Sequence, residues 1–301
     1  MKVLLTGGTG FIGRVVVSEL VRRGHEVLVV ARNVDVAMPA GARHIPGDIS
    51  EASSLHGPFV DVDAVVHLVG IIREVGTATF QRVHVDGTQN VVDAMEQADV
   101  RRIVYVSAIG ASPDGVSRYQ TTKFEAEEII RRSGLDYVIL RPSLVFGPGD
   151  EFTASLTDLV RQIGPTPVVG DGKSRFQPIA VENVVSCIVE SLENDEHTGK
   201  TYELGGPDVL TFEQMVGMVS VALGVHKSIL HVPRWAVKAG VATLEKITSR
   251  LPVTSDQLAM LQRDNVCSHN DAQEVFSLHL TRFRDALPTM VAAAKEPTHS
   301  A

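Results

Sequence analysis

Tyr119 and Lys123 stand four residues apart in Arg118-Tyr119-Gln120-Thr121-Thr122-Lys123. On a helix, positions i and i+4 share a face, so both side chains can meet one ligand. A nearby ammonium favours the phenolate and lowers the tyrosine pKa from about 10. The pair therefore reads as a general acid/base poised near neutrality. A second stretch says what such a base would serve. Thr6-Gly7-Gly8-Thr9-Gly10-Phe11-Ile12-Gly13 follows the apolar run Val3-Leu4-Leu5 and precedes Arg14–Val21, which reads as a helix. Strand, glycine-rich turn and helix place a pyrophosphate on a helix N-terminus, where free amides and the helix dipole favour an anion. One glycine allows the tight turn, one lets the backbone approach the phosphates, and one lets helix and strand pack closely. Together the two stretches predict proton transfer at a hydroxyl while a hydride moves to or from a nicotinamide dinucleotide.

Positioning these groups needs strands alternating with helices. Glu26–Arg32 reads as the second strand, Arg43–Ile45 as a short third, Asp63–Gly70 as the fourth and Arg102–Ser107 as the fifth. Val83–Ala94 reads as a helix, and a further helix opens at Tyr119. This alternation implies right-handed crossovers and an α/β, doubly wound parallel sheet, the Rossmann fold, with ligand beyond the strand C-termini. Residues 1–150 are expected to form the nucleotide domain, with about 176–206 rejoining it. Residues 151–301 are expected to form a smaller mixed α/β substrate-side region.

The strand ends assign the cofactor contacts. A residue about 20 positions beyond the glycines meets the adenosine ribose: an acid there binds the 2′-hydroxyl of NAD, a cation the 2′-phosphate of NADP. That residue is Arg32, followed by Asn33, with Arg14 as a helper. A guanidinium offers a bidentate fork to a phosphate, so NADP(H) is preferred over NAD(H). The alternative is that Arg32 is a solvated strand-end residue. Asp48 and Ile49 fall near the adenine edge, and Leu68, Val69 and Gly70 near the middle of the cofactor. Gly7, Thr9, Gly10, Phe11, Ile12 and Gly13 line the groove. His67 reads as a core or strand-end histidine.

Composition narrows the partners. The chain has 301 residues and a net charge of −8, with 28 Lys+Arg against 36 Asp+Glu, which argues against a nucleic-acid footprint. Cys187 and Cys267 are far apart, match no metal spacing and predict a reducing compartment. No apolar stretch reaches the roughly 20 residues that span a bilayer. The chain opens directly on a strand, so no signal peptide is expected. The expectation is a cytoplasmic protein, or one peripheral to a membrane. Thr211-Phe212-Glu213-Gln214 reads as a capping box. Pro233-Arg234-Trp235 starts a helix, with Trp235 expected in the core. Val237, Val241, Leu244, Ile247 and Leu251 recur at helical spacing among Lys238, Lys246 and Arg250. That stripe is expected to pack on the substrate region, the alternative being a partner or membrane face.

These motifs resemble the short-chain dehydrogenase/reductase superfamily in its extended or atypical branch, the NAD-dependent epimerase/dehydratase family. Val83-His84-Val85-Asp86-Gly87-Thr88-Gln89-Asn90 is similar to the family's N-V-x-G-T-x-N helix. Leu140–Asp150 is similar to its R-P-x-x-V-[YF]-G-P-G-D loop, Phe176–Val184 to its H-V-D-D-V segment, and Tyr202–Pro207 to its late strand. The resemblance implies that Tyr119 and Lys123 are catalytic, that Lys123 also holds the ribose, and that Pro142 meets the nicotinamide end. It implies a catalytic Ser or Thr after the fifth strand. Ser107 is the candidate, with Ala108 and Ile109 in the neighbouring places and Ser112 further out. His84 replaces the family's Asn, and the Thr-Asp-Glu of sugar-nucleotide dehydratases is missing, which argues against a dehydratase. Pro252–Leu258 and Leu261–Val266 resemble bacterial relatives of the nucleotide-binding accessory subunit of respiratory complex I, in which NADPH is structural. The expected function is an NAD(P)H-dependent oxidoreductase or epimerase acting on an unidentified small molecule. The alternative is an NADPH-holding structural or regulatory protein associated with a respiratory complex.

Overall fold

The computed structural model describes residues 1–33, 37–237 and 254–293. Its first elements are β1 (Lys2–Thr6), α1 (Phe11–Arg22), β2 (Glu26–Ala31), β3 (Ala42–Pro46) and β4 (Ala64–His67). After them come a wide π-type turn at Gln81–Asp86, α2 (Gly87–Gln97), β5 (Arg102–Val106), α3 (Arg118–Arg132) and β6 (Asp136–Pro142). Strands β7 (Val145–Phe146), β8 (Thr166–Val169), β9 (Arg175–Phe176) and β10 (Ile179–Ala180) follow, with α4 (Glu151–Arg161) between the first two. Next are α5 (Val181–Glu193), β11 (Lys200–Leu204), β12 (Leu210–Thr211), α6 (Phe212–Ala222) and β13 (Ile229–Val232). Three later helices cover Ser255–Leu261, Asp271–Glu274 and Phe283–Ala293.

Seven strands form one sheet in the order β11-β6-β5-β4-β1-β2-β3. β1 lies parallel between β2 and β4, with Leu5 opposite both Val29 and Val66. The chain leaves β1 toward β2 and β3, then crosses back to β4, β5 and β6. The crevice between β1 and β4 is therefore the switch point where such sheets bind ligands. Val3, Leu4, Leu5, Ala64, Val65 and Val66 are fully buried, as strands covered on both faces must be. One core packs Leu4, Leu28, Phe59, Val91, Met95, Ile103 and Tyr105. β4 is shorter than expected. It stops at His67, so Leu68–Gly70 is loop. The expected helix at 83–94 is present, its first residues wound as a π-type segment that runs directly into α2.

The chain divides into two compact units, one of Met1–Pro142 with Val184–Glu203, the other of Ser143–Asn183 with the residues from Leu204 onward. In the second unit Phe146, Leu156, Phe176, Met215 and Phe283 share a core, and the Phe146 and Phe283 rings meet edge-to-face at 5.2 Å. The Thr211–Gln214 capping box is formed. Asp264 grips Arg175 through the backbone amide at 2.8 Å and through Nε at 2.9 Å, and Asn265 bonds Ser143. This fastens the Leu261–Val266 motif to β9. Trp235 is 76% exposed, not core: it follows β13, whose own Leu230 is also exposed. The rest of the apolar stripe, 238–253, lies outside the described residues, as does the tail beyond Ala293.

Candidate functional site

The glycine-rich turn is built by close approach. Gly7 has φ +78°, a left-handed conformation that favours glycine, and a Cβ there would stand 3.0 Å from the Val69 nitrogen. A Cβ on Gly13 would press into Gly8 Cα at 2.6 Å and clash with the Gly7 carbonyl, so α1 lies against the turn itself. Gly10 is the N-cap. It offers no side chain to the first-turn amides, and no acid occupies that turn. A helix start left this bare suits a diphosphate, so the turn fits a dinucleotide. Phe11 and Ile12 are half-buried beside it, and Arg14 Nε donates to the Thr9 carbonyl at 3.0 Å.

Arg32 and Asn33 lie exposed just past β2. The Arg32 guanidinium makes no hydrogen bond or ion pair among the described residues. Asp48 accepts from the Ser50 amide, and Ile49 is buried. The Gly87-Thr88-Gln89-Asn90 motif explains itself here. A Cβ on Gly87 would collide with Ile49 Cδ1 at 2.6 Å, and Asn90 Nδ2 donates to the Ile49 carbonyl at 2.7 Å. Thr88 Oγ1 meets His67 Nε2 at 3.1 Å, while His67 Nδ1 meets Thr6 Oγ1 at 2.5 Å. Burial, then the charge of Lys123, lowers the His67 imidazole to about 3, so it is a neutral strut under the turn. Leu68, Val69 and Gly70 follow it, with the Leu68 amide donating to the Thr6 carbonyl at 3.0 Å.

Ser117 caps α3 by accepting from the Gln120 amide, which starts the helix one residue before Tyr119. The Tyr119 ring meets His84 edge-on at 5.5 Å and Phe80 at 6.1 Å. Lys123 is 3% exposed, donates from Nζ to the Val106 carbonyl at 2.7 Å, and sits 4.3 Å from the centre of the Tyr105 ring. These surroundings correct one expectation. Desolvation pushes the Tyr119 phenol up to about 12, and no lowering by the ammonium offsets it. Burial likewise pushes Lys123 down to about 7, against the attraction of Glu127. The ammonium serves β5 rather than the phenol. Tyr105 and Val106, which hold it, were not singled out by sequence; an aromatic residue in a strand reads only as core.

Ser107 ends the β5 run. Its amide donates to the Leu140 carbonyl at 2.7 Å, and its buried hydroxyl finds no partner among the described residues. Ile109, which is buried, donates its amide to the Pro142 carbonyl at 3.0 Å. Ser112 accepts from the Asp114 amide and shapes a turn.

A doubly wound sheet with a bare helix start at the switch point, a tyrosine and lysine on one helix face and an exposed arginine past β2 defines a dinucleotide-binding class of protein. Residues 3–205 match the profile of the NAD dependent epimerase/dehydratase family, and the chain belongs to that family. It is 28% identical over 290 residues to the Arabidopsis thaliana protein named NADH dehydrogenase [ubiquinone] 1 alpha subcomplex subunit 9, mitochondrial. That match covers 88% of this chain and 70% of the relative. It is 29% identical over 252 residues to 2-alkyl-3-oxoalkanoate reductase of Stenotrophomonas maltophilia, covering 74% and 76%. MoeE5, solved with UDP-glucose and NAD, shares the fold with a TM-score of 0.77 at 23% identity, covering 98% of this chain and 99% of that one. No helix among the described residues is long and apolar enough to cross a membrane.

Proposed function

We propose that the protein is an NADP(H)-dependent reductase of a carbonyl compound, with Tyr119 as the proton donor. The observation that carries this reading is the Tyr119 phenol, half-buried against His84 and Phe80 on the helix face it shares with Lys123 and pushed up to about 12 by desolvation. A phenol that keeps its proton at neutral pH is an acid, not a base. It suits giving a proton to an oxygen on which negative charge develops. The bound dinucleotide supplies or accepts the hydride. The α1 amides and the Gly7–Gly13 turn bind its diphosphate, Arg32 and Asn33 take the 2′-phosphate, and Asp48 and Ile49 border the adenine. Leu68, Val69, Gly70 and Pro142 flank the reacting end. Lys123 holds the ribose, and Ser107 stays in reserve because its hydroxyl is closed off. The relative named 2-alkyl-3-oxoalkanoate reductase supports an oxo substrate.

A second reading follows from Ser107. With no accessible hydroxyl at the end of β5, the site can hold NADPH without turnover. The relative named as an NADH dehydrogenase subunit supports a place in a respiratory assembly. Single-turnover oxidation of pre-bound NADPH against quinones, sugar nucleotides and 3-oxo acids separates the two. Loss of reduced-nicotinamide absorbance with one class, slowed about 100-fold or more by Tyr119→Phe, supports the reductase. Tight NADPH with no loss against any class supports the holder, and full turnover in Tyr119→Phe refutes the assigned acid.

A further inference from the structure

His84 stands in the wide turn ahead of α2, and its buried imidazole joins three segments. Nε2 lies 3.0 Å from the Ile71 amide, which can only donate. Nε2 is therefore the acceptor, and the ring proton is on Nδ1. Nδ1–H then donates to Thr122 Oγ1 at 2.9 Å, and the Thr122 hydroxyl passes its own hydrogen to the Arg118 carbonyl at 2.7 Å. The Tyr119 carbonyl lies a longer 3.2 Å from the same hydroxyl, so the bonds run in one direction from the Ile71 amide to the α3 backbone. Gly70 lies alongside: a Cβ there would stand 3.5 Å from His84 Nε2 and 3.8 Å from Lys123 Nζ. The backbone before Ile71 thus passes close to both the imidazole and the ammonium. Phe80 and Tyr119 close the ring on its flanks at 5.5 Å each. Desolvation, then Lys123, lowers the imidazole to about 3, so protonation does not open the contact at neutral pH.

We propose that His84 is a positioning residue: as the neutral Nδ1–H tautomer it ties the Ile71 amide, and with it the Leu68–Ile71 loop, to α3 at Thr122. That turn separates Tyr119 from Lys123, so the tie sets how far the loop leaving β4 stands from both. This role in ligand positioning rests on the reading of Tyr119 and Lys123 given above, whereas the tie itself does not. A side chain that only filled space would serve as well with Leu.

The test compares the full chain with His84→Leu, which keeps bulk and removes the acceptor, and His84→Gln, whose carboxamide oxygen can replace Nε2. Imidazole 15N spectra of the wild type are expected to show Nδ1 protonated and Nε2 bare, with no titration from pH 5.5 to 8. Exchange of the Ile71 amide is expected to rise about tenfold in His84→Leu, the worth of one hydrogen bond, and to fall back in His84→Gln. NADPH affinity is expected to follow the same order, dropping about tenfold in Leu and recovering in Gln. An Nε2–H tautomer, or unchanged Ile71 exchange in the Leu variant, overturns the tie. Raised exchange with unchanged NADPH affinity overturns the positioning role. A wild type that fails to bind NADPH at all overturns both the cofactor reading and the positioning role built on it, and leaves the tie to be decided by the spectra and the exchange.

Discussion

Replacing Lys123 with Met takes a cation away from a place that disfavours it. Burial lowers this amine from 10.5 to about 7 in the folded chain. In the unfolded chain it returns to about 10.4. Between those values the unfolded chain holds one proton more than the folded one, so wild-type stability rises with pH. The slope from this group is about 1.4 kcal/mol per pH unit. Below pH 7 both states keep the proton, and the wild type bears the full cost of the buried charge. Lys123→Met bears none of it at any pH. The hydrogen bond to Val106 is absent from the variant at every pH, so its loss sets the level of the difference rather than its slope. The variant is therefore expected to lose ground steadily, by about 2 kcal/mol between pH 7.5 and 9 relative to wild type. Urea unfolding of both proteins at pH 6.5, 7.5, 8.5 and 9 reads this directly, because groups common to both cancel. A difference that stays flat across that range refutes the argument that Lys123 is uncharged in the folded chain above pH 7.

Three further outcomes are expected. Gly13→Ala drives a methyl into Gly8 Cα and the Gly7 carbonyl, both backbone, and is expected to cost about 1–3 kcal/mol or more and abolish NADPH binding; a wild-type Kd by fluorescence titration would contradict the packing described. Arg32→Glu is expected to weaken NADPH at least about tenfold while leaving NADH much less affected, since it replaces a charge-assisted contact with repulsion. An unchanged ratio of the two Kd values would remove Arg32 from the 2′-phosphate. Asn90→Ala removes the bond to the Ile49 carbonyl and is expected to cost about 1–2 kcal/mol in urea unfolding. A loss near zero would mean water replaces the amide there.

The glycine-rich turn ahead of α1 was legible because its signals are backbone signals. Gly7 and Gly13 mark a positive φ and a close approach that other residues resist, and their order after an apolar strand fixes where a helix must start. Gly87 and Asn90 were visible as a motif, but their purpose was not, since Ile49 lies far away in sequence. Helical spacing put Tyr119 and Lys123 on one face. It said nothing of what lay under that face, and the buried Tyr105 ring and Val106 carbonyl decide where the ammonium goes. His84 drew notice only as a departure from Asn. Its three-way contact depends on Ile71 and Thr122, which no local spacing relates to it. Trp235 misled because large aromatic side chains are usually covered, whereas here it is 76% exposed just after a strand whose Leu230 is exposed too.

Burial moves the two helix-face groups in opposite directions, the Tyr119 phenol up to about 12 and the Lys123 amine down to about 7. Both shifts have one cause, the cost of charge away from water. The resting pair above pH 7 is therefore phenol and free amine, not phenolate and ammonium. In the proposed reduction the phenol would part with its proton only as charge builds on the substrate oxygen, so a high pKa would delay nothing before transfer. What burial penalises is the phenolate left behind; the Lys123 ammonium does not lower the resting phenol, so under the proposed function its protonated form would offset that charge only with a ligand seated between the two. Reduction is thus expected to slow as pH rises through about 7, because the compensating charge is lost. Oxidation needs the phenolate first and is expected to run in the opposite sense, gaining toward high pH. A single-turnover reduction rate that is level from pH 6 to 8.5 would detach Lys123 from the fate of the proton and leave it a support for β5 alone.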